Sequence, residues 1–365
     1  MSIASGYSSA SRTGSGGSQR KVYFELHERV NVDAGERLDG SQGMEKLKQT
    51  SQETGDQTYQ RIMNTVGVAK GLGGFLPVRY YLHEAQEGYG RMKCEVMVDG
   101  VSVMPYVHMM REVRAHLAEK YYWDVDMVNC QPSLLKQVLD KAGPQPIPCP
   151  LLARYVCNRE ACLKEVVESC KVSRDDAKKL FIRVIYHGTV DAWTRESCSQ
   201  RQLQPPLWIH ELQKEVRENN KLLLLRPEFD DLKRYYKRKS LSVANDTHAE
   251  DGTATLIALH LQTLECECVR ALVDAAQNDQ RMIGGIVYDG IHVMKDPKES
   301  LLPTSMLERW EYSVRAKTGY DVKLSVKAFS CDPDWLRSTS SAPDIWDERW
   351  MNGYSLWTYE EMKVL

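Results

Sequence analysis

The chain lacks any apolar run approaching the roughly 20 residues that span a bilayer as a helix, which excludes a helical membrane protein. Its opening stretch, Met1 to Gln19, is rich in Ser and Gly and lacks the apolar h-region of a secretory signal. An intracellular location, cytoplasmic or nuclear rather than secreted, is therefore expected. A cysteine framework is also missing. Of ten cysteines, only Cys157-x4-Cys162 and Cys266-x-Cys268 are close pairs, so reduced and mostly buried thiols are expected. A zinc site wants two short-spaced Cys/His pairs, and none stands out. His83, His108, His116, His210 and His260 have no Cys or acidic neighbour at ligand spacing, and these, with His292, read as ordinary core or surface histidines. There is no excess of either charge: 48 Lys and Arg face 50 Asp and Glu, a net charge of −2. Nucleic-acid binding, if present, must come from local patches. No internal repeat is visible.

What is present is length and an apolar fraction sufficient for one large domain or two ordinary ones. Residues 1–20 are low in complexity. Residues 21–56 open with a strand-like Lys21-Val-Tyr-Phe-Glu-Leu and then turn polar, as a lead-in. The pattern firms into an amphipathic stretch from Thr58 to Ala69, a Gly-rich break at Gly71–Gly74 and a strand Pro77–Leu82. Residues 106–120 read as one helix, Tyr122–Val128 as a strand, and Pro132 as the first turn of a helix to Leu139. Pro144–Pro150 is a linker. Leu151–Ser169 and Arg174–Tyr186 read as helices, the second capped by Ser173 with two acids behind it. A polar, charged region over 195–240 contains the basic cluster Lys233–Lys239. A long helix Ala254–Gln277 leads to a hairpin over Gly284–Met294, with Asp289-Gly290 at its turn. A strand Val322–Phe329 closes the pattern before a Trp-rich tail carrying Trp335, Trp346, Trp350 and Trp357, expected to pack back on the body.

The chemistry-bearing residues are Asp126 and Asp289, each flanked by strand-forming apolar residues that set a carboxylate at the rim of a sheet. Asp124 shares a strand face with Asp126 as an auxiliary ligand or a strand-end hydrogen bonder. Taken singly, each aspartate is ordinary turn chemistry. Between them, Arg174 and Lys178 stand four residues apart on one helix face, with Tyr186 two turns further on. A cationic face with an aromatic suits the phosphates and base of a nucleotide, although alone it is an ordinary solvated face. Phosphoryl transfer with two divalent ions about 3.5–4 Å apart needs hard carboxylate ligands, and Mg²⁺, or Mn²⁺, keeps several waters.

In this order and spacing, with Arg174 following Asp126 by 48 positions and Asp289 following Arg174 by 115, residues 85–337 resemble the polymerase core of family A, the DNA polymerase I-like group. Related single-subunit RNA polymerases share the pattern, and Asn129-Cys-Gln131-Pro132 is similar to a variant of divergent viral and mobile-element members. Gly90-Arg91 resembles the Gly-Arg pair that contacts template and primer. Gly252-Thr-Ala with the Gln262-x2-Glu265 helix resembles the long palm helix bearing a nucleic-acid-contacting Gln. The strand Asp321–Lys327 resembles the closing strand. Departures are His187 between Tyr186 and Gly188, Ile182 with Phe181 one place off the expected aromatic, Tyr288-Asp289-Gly290 for the usual His-Asp-Glu, and Gln131 where DNA-polymerizing members carry a ribose-excluding glutamate.

The resemblance implies an α+β right hand with an antiparallel palm sheet, largely helical fingers and a minimal thumb. The expected division is a tail (1–20), a lead-in and short thumb (21–84), palm (85–149), fingers (150–245), palm (246–337) and a C-terminal tail (338–365). Asp126 and Asp289 would hold two Mg²⁺ ions. Lys178 would bind the triphosphate and protonate the leaving pyrophosphate, Arg174 would pair with the outer phosphates, and Tyr186, Gln131 and Asn129 would face the nucleotide. Arg91, Arg111, Arg114, Gln262, Lys233, Arg234 and Lys237 would contact nucleic acid. Expected partners are nucleoside triphosphates, a DNA primer-template with RNA as the alternative, and an accessory replication protein, with no membrane and no proofreading exonuclease. Readings from other classes are an RNA polymerase or primase on the same core, a non-catalytic nucleic-acid binder using Lys233–Lys239 and the Arg111/Arg114 helix, and an unrelated α/β protein whose Asp-Gly is only a turn.

Overall fold

The fold is built around two antiparallel sheets that meet at a glycine pair. A computed structural model describes residues 20–49, 52–197, 204–242, 252–329, 331 and 333–336. The expected disordered tail 1–20 apart from Arg20, and the C-terminal tail with Trp346, Trp350 and Trp357, lie outside the described residues. The first sheet, in order β1-β2-β3, joins β1 (Arg20–Arg29), β2 (Phe75–His83) and β3 (Lys93–Val96). Between β1 and β2 lie α1 (Val32–Leu38), α2 (Gln42–Gln49) and α3 (Gln52–Gly71). The sequence reading leaves α1 and α2 as lead-in, and the structure corrects it. Their apolar signal is sparse, but Leu38, Met44 and Leu47 are buried, and Gly35 lies so close to Val66 of α3 that a Cβ would come within 2.5 Å of it.

After β3 the chain forms α4 (Arg111–Ala118). The single helix expected over 106–120 is instead a 3₁₀ turn at Tyr106–His108 followed by α4, with extended backbone at Met109 and Met110 between them. Then come β4 (Tyr122–Met127) and α5 (Cys130–Asp140), which holds Pro132 in its first turn, where its absent N–H is not missed. The helix expected over Leu151–Ser169 is two, α6 (Pro150–Cys157) and α7 (Arg159–Cys170), because Asn158 leaves the helical region with φ −126°. Next are α8 (Arg174–Ile185), α9 (Val190–Ser197), α10 (Leu207–Leu224) and α11 (Asp230–Ser242). The long α12 (Thr253–Asn278) leads to the hairpin β5 (Ile283–Val287) and β6 (Gly290–Met294), then α13 (Thr304–Thr318) and β7 (Leu324–Lys327).

The second sheet runs β5-β6-β4-β7, every neighbour antiparallel. Helices combine with sheets whose strands pair antiparallel throughout, an α+β arrangement. Among the described residues of 150–242 there is no strand. Residues 20–83 do not stand apart. Tyr80 of β2 accepts the Ile286 N–H at 2.9 Å, and the Arg29 N–H donates to the Tyr122 hydroxyl at 2.5 Å. Gly284 permits this approach, since a Cβ there would lie 2.1 Å from the Tyr122 hydroxyl oxygen. No helix among the described residues is long and apolar enough to cross a membrane.

Candidate active site

β4 lies between β6 and β7, and the register sets two rows of side chains across the sheet. One row is Gly290, Asp126 and Ser325; the next is His292, Asp124 and Lys327. Alternation along β4 puts Asp124 and Asp126 on one face, while Val125 and Met127 go into the core. Gly290 must be glycine, for a Cβ would meet the Val125 carbonyl oxygen at 2.7 Å and Asp126 Oδ1 at 2.8 Å.

Asp289 enters from the β5–β6 turn. The sequence reading puts Asp289-Gly290 at that turn; the structure shifts it one place, to Tyr288-Asp289, with Gly290 opening β6. Tyr288 takes φ +54°, which a two-residue hairpin demands of its first central residue and which an aromatic adopts only under strain. Asp289 thereby lies beside Asp126 in one cavity. Burial first, and then the charges of Asp126 and Glu265, push the Asp289 carboxyl up to about 8. Burial and Asp126 push Asp124 up to about 6. Lys327 of β7 ion-pairs with Asp126 Oδ2.

The carboxylates floor a cavity of about 840 Å³. Its far wall is α8, and the helix sorts its residues cleanly. Ala177, Leu180, Phe181, Val184 and Ile185 form the buried stripe, and Phe181 stacks on Tyr155 at 3.9 Å in the core. The i, i+4 row of Arg174, Lys178, Ile182 and Tyr186 lines the cavity. The Ser173 hydroxyl caps the helix by accepting the Asp176 N–H at 3.0 Å. Burial, then Lys327 and Arg159, hold the Lys178 ammonium below its usual pKa, and burial raises the Tyr186 phenol. Arg174 stands at the rim, where Glu160 takes its guanidinium at 2.7–3.2 Å.

His187 follows Tyr186, the C-cap of α8. It takes φ +63° as the left-handed residue of a C-terminal motif in which the His187 N–H reaches the Val184 carbonyl and the Gly188 N–H reaches that of Arg183. Arg217 donates to the His187 carbonyl at 2.8 Å, and Asn220 pairs with its ring at 2.9 Å.

α12 supplies the third wall through Gln262 and Glu265. Arg91 donates to both oxygens of buried Glu265, at 2.5 and 3.0 Å, and the Gly90 N–H donates to the Thr263 hydroxyl. Gln131 donates to the same carboxylate, leaving its Oε1 buried without a hydrogen-bond partner, as is Asn129 Nδ2. The Arg91 guanidinium also lies over the Tyr288 ring, 5.2 Å from its centre. Arg111 and Arg114 face the cavity from α4, and Arg114 also donates to the Tyr106 and Met109 carbonyls.

The structure thus brings Arg91, Arg111, Arg114, Asp126, Asn129, Gln131, Arg174, Lys178, Tyr186, Gln262 and Asp289 to one cavity. Lys233, Arg234 and Lys237 on α11 do not line it, and Lys233 and Arg234 pair with Asp230 and Asp231. Arg159, Glu265 and Lys327 also line the cavity, beyond the site residues that the sequence singles out. Alternation of Ser325 and Lys327 with apolar Leu324 and Val326 was a legible signal for a lysine on one sheet face, but which strand it would pair with was not. His292 is fully buried against Tyr122, Tyr106 and Phe329, and burial drives it down to about 3, a neutral core ring as expected.

No protein-family model matches the chain. A curated relative, "Putative helicase V13" of Sputnik virophage, is 24% identical over 218 residues, which are 60% of this chain and 26% of the relative, so the chain spans about a quarter of that protein's length. Among solved structures, the POL domain of Pol1 from M. smegmatis, in complex with DNA primer-template and dNTP, aligns over 81% of this chain and 56% of its own, with a TM-score of 0.43 and 10% identity.

Proposed function

We propose that the chain is a template-directed nucleotidyltransferase of the family A kind, joining a nucleoside triphosphate to a primer 3′-hydroxyl, with DNA the preferred product and RNA the alternative. The observation that carries this reading is a pair of neighbouring carboxyl groups, Asp126 and Asp289, on the floor of a cavity whose wall is the Arg174–Lys178–Ile182–Tyr186 row. Seven cationic side chains and five carboxylates line that cavity, a balance suited to a polyanion held over an acidic floor.

The donor set fits Mg²⁺ or Mn²⁺: two carboxylates share a desolvated floor, and Asp126 already holds a cation, the Lys327 ammonium. No cluster of three or more acidic, His or Cys residues placed to hold a metal occurs among the described residues. Two aspartates suffice for Mg²⁺, which keeps waters and takes substrate phosphates. Two such ions would supply polarisation of the attacking and leaving oxygens. In this reading Lys178 holds the phosphates and delivers a proton to the departing pyrophosphate, for which burial, by lowering its pKa, prepares it. Arg159 and Arg174 gather the outer phosphates. Tyr186 and Gln131 bound the sugar, and Arg91, Gln262, Arg111 and Arg114 hold template and primer. In this reading the described residues of 85–149 and 246–337 belong to the palm, and those of 150–245 to the fingers.

The relative's name does not transfer as an activity, since the sequence contains no Gly-x4-Gly-Lys-Ser/Thr phosphate loop. The test is primer extension on a short template with Mg²⁺ or Mn²⁺, comparing dNTPs with NTPs. Wild type should extend, and Asp126→Ala and Asp289→Ala should not. Equal extension by all three, or by none, discards the reading. Binding of nucleic acid with steep salt dependence and no incorporation selects the non-catalytic binder.

A further inference from the structure

Lys327 has no part in the transfer just described, yet its ammonium sits on Asp126 Oδ2. The register places Lys327 opposite Asp124, so its side chain leans across one row of the sheet to reach Asp126. The Asp126 side chain is 11% exposed and that of Lys327 is 48% exposed, so the lysine closes over a buried oxygen from the solvent side. We propose that Lys327 is a built-in competitor for the divalent cation, neutralising Asp126 in the metal-free protein and leaving Oδ2 before an ion binds there. This rests on the nucleotidyltransferase reading of the aspartate pair.

The physical case has two halves. Two desolvated carboxylates side by side need a counter-charge, and the fold supplies one from within. A lysine ammonium is a compact charge on a flexible stem, and a half-exposed one can leave for water at a cost that a divalent ion's charge outweighs. The ion's apparent affinity is therefore reduced by the fraction of protein in which Lys327 is docked. A metal–triphosphate complex meets less resistance than the bare ion, because its phosphates offer the departing lysine a new partner.

The experiment measures Mn²⁺ binding to the full chain by electron paramagnetic resonance for wild type, Lys327→Gln, Lys327→Arg and Asp126→Asn. Lys327→Gln should bind Mn²⁺ about tenfold more tightly than wild type, and Lys327→Arg, which keeps the charge, should bind no more tightly. Equal or weaker binding by Lys327→Gln overturns the proposal and leaves the metal site standing. Absence of Mn²⁺ binding, or binding that Asp126→Asn does not weaken, overturns the nucleotidyltransferase reading and this inference with it. A readout on wild type covers a Lys327→Gln that fails to fold. Mn²⁺ should speed acylation of Lys327 by an amine-directed reagent, followed by mass spectrometry, and an unchanged or slower rate overturns the proposal.

Discussion

Lys178 is held in the cavity wall by a helix whose opposite face is buried, where burial and two neighbouring cations lower its pKa from the usual value. An ammonium at that place is suited to stabilise phosphate charge that develops during transfer. Lys178→Met is expected to lower single-turnover nucleotide incorporation by roughly 10²–10³-fold while primer-template affinity, read by gel shift, stays within about twofold. Arg174→Ala should cost less, about tenfold or under, because its guanidinium is already engaged by Glu160 at an exposed rim. Equal losses for the two variants would show that the row acts only as a diffuse cationic wall. Gln131 stays with the sugar question: Glu265 fixes its amide, and comparison of dNTP with NTP extension by wild type decides which hydroxyl pattern it accepts.

At the scale of elements, α12 and the β5–β6 hairpin determine where these side chains stand. α12 pins the Gly90–Arg91 segment through Thr263 and Glu265, and Glu265 also holds Gln131 of α5. Glu265→Ala removes the buried acceptor from both at once. It is expected to lower unfolding stability by about 2–3 kcal/mol in urea titrations, discounted from a fully buried pair because Arg91 is 38% exposed. Gly290→Ala tests the hairpin, where a Cβ would press on the β4 backbone at 2.7 Å. Stability should fall by on the order of 2 kcal/mol and activity should be lost with it, because the strand pair must spread and part the aspartates. A stable Gly290→Ala protein with unaltered extension would show that the two carboxylates need no fixed register. Much of this was legible in the chain. The α8 row, the Ser173 cap and both aspartate strands are local patterns of period 3.6 or 2, which a sequence displays directly. What the sequence did not display was non-local. The pairing of β7 against β4 brings Lys327 to Asp126 across 201 positions, and Arg91 finds Glu265 across 174. The breaks at Met109–Met110 and Asn158 depend on single backbone dihedrals, and the one-place shift of the hairpin turn depends on Tyr288 taking a positive φ that its residue type does not advertise.

At the scale of the whole molecule, the two sheets are joined through a buried acid. Glu28 of β1 is fully buried, accepts the Tyr106 N–H at 2.9 Å and the Tyr80 hydroxyl at 3.2 Å, and lies beside Gly285 of the hairpin that carries Asp289. Burial pushes its carboxyl up to about 8, against the lowering by those two hydrogen bonds and by Arg114. The folded protein therefore prefers Glu28 neutral. Its pKa is raised on folding, so ionisation costs nothing below the unfolded value of 4.5, and stability is lost progressively as pH rises from there to about 8. At roughly 1.4 kcal/mol per unit, the cost at pH 7 is on the order of 3 kcal/mol. Glu28→Gln keeps the shape and the acceptor while removing the ionisation. It should flatten that part of the stability profile, so that wild type and variant agree near pH 5 and the variant unfolds at higher urea near pH 8. Parallel profiles for the two proteins would mean that Glu28 stays charged in the core, with a counter-charge outside its Tyr106, Tyr80 and Arg114 neighbours. Because Tyr80 links Glu28 directly to Ile286, three residues before Asp289, the same ionisation loosens the hairpin first. Amide exchange at Ile286 should accordingly quicken with pH more steeply in wild type than in Glu28→Gln, beyond the common base catalysis of exchange.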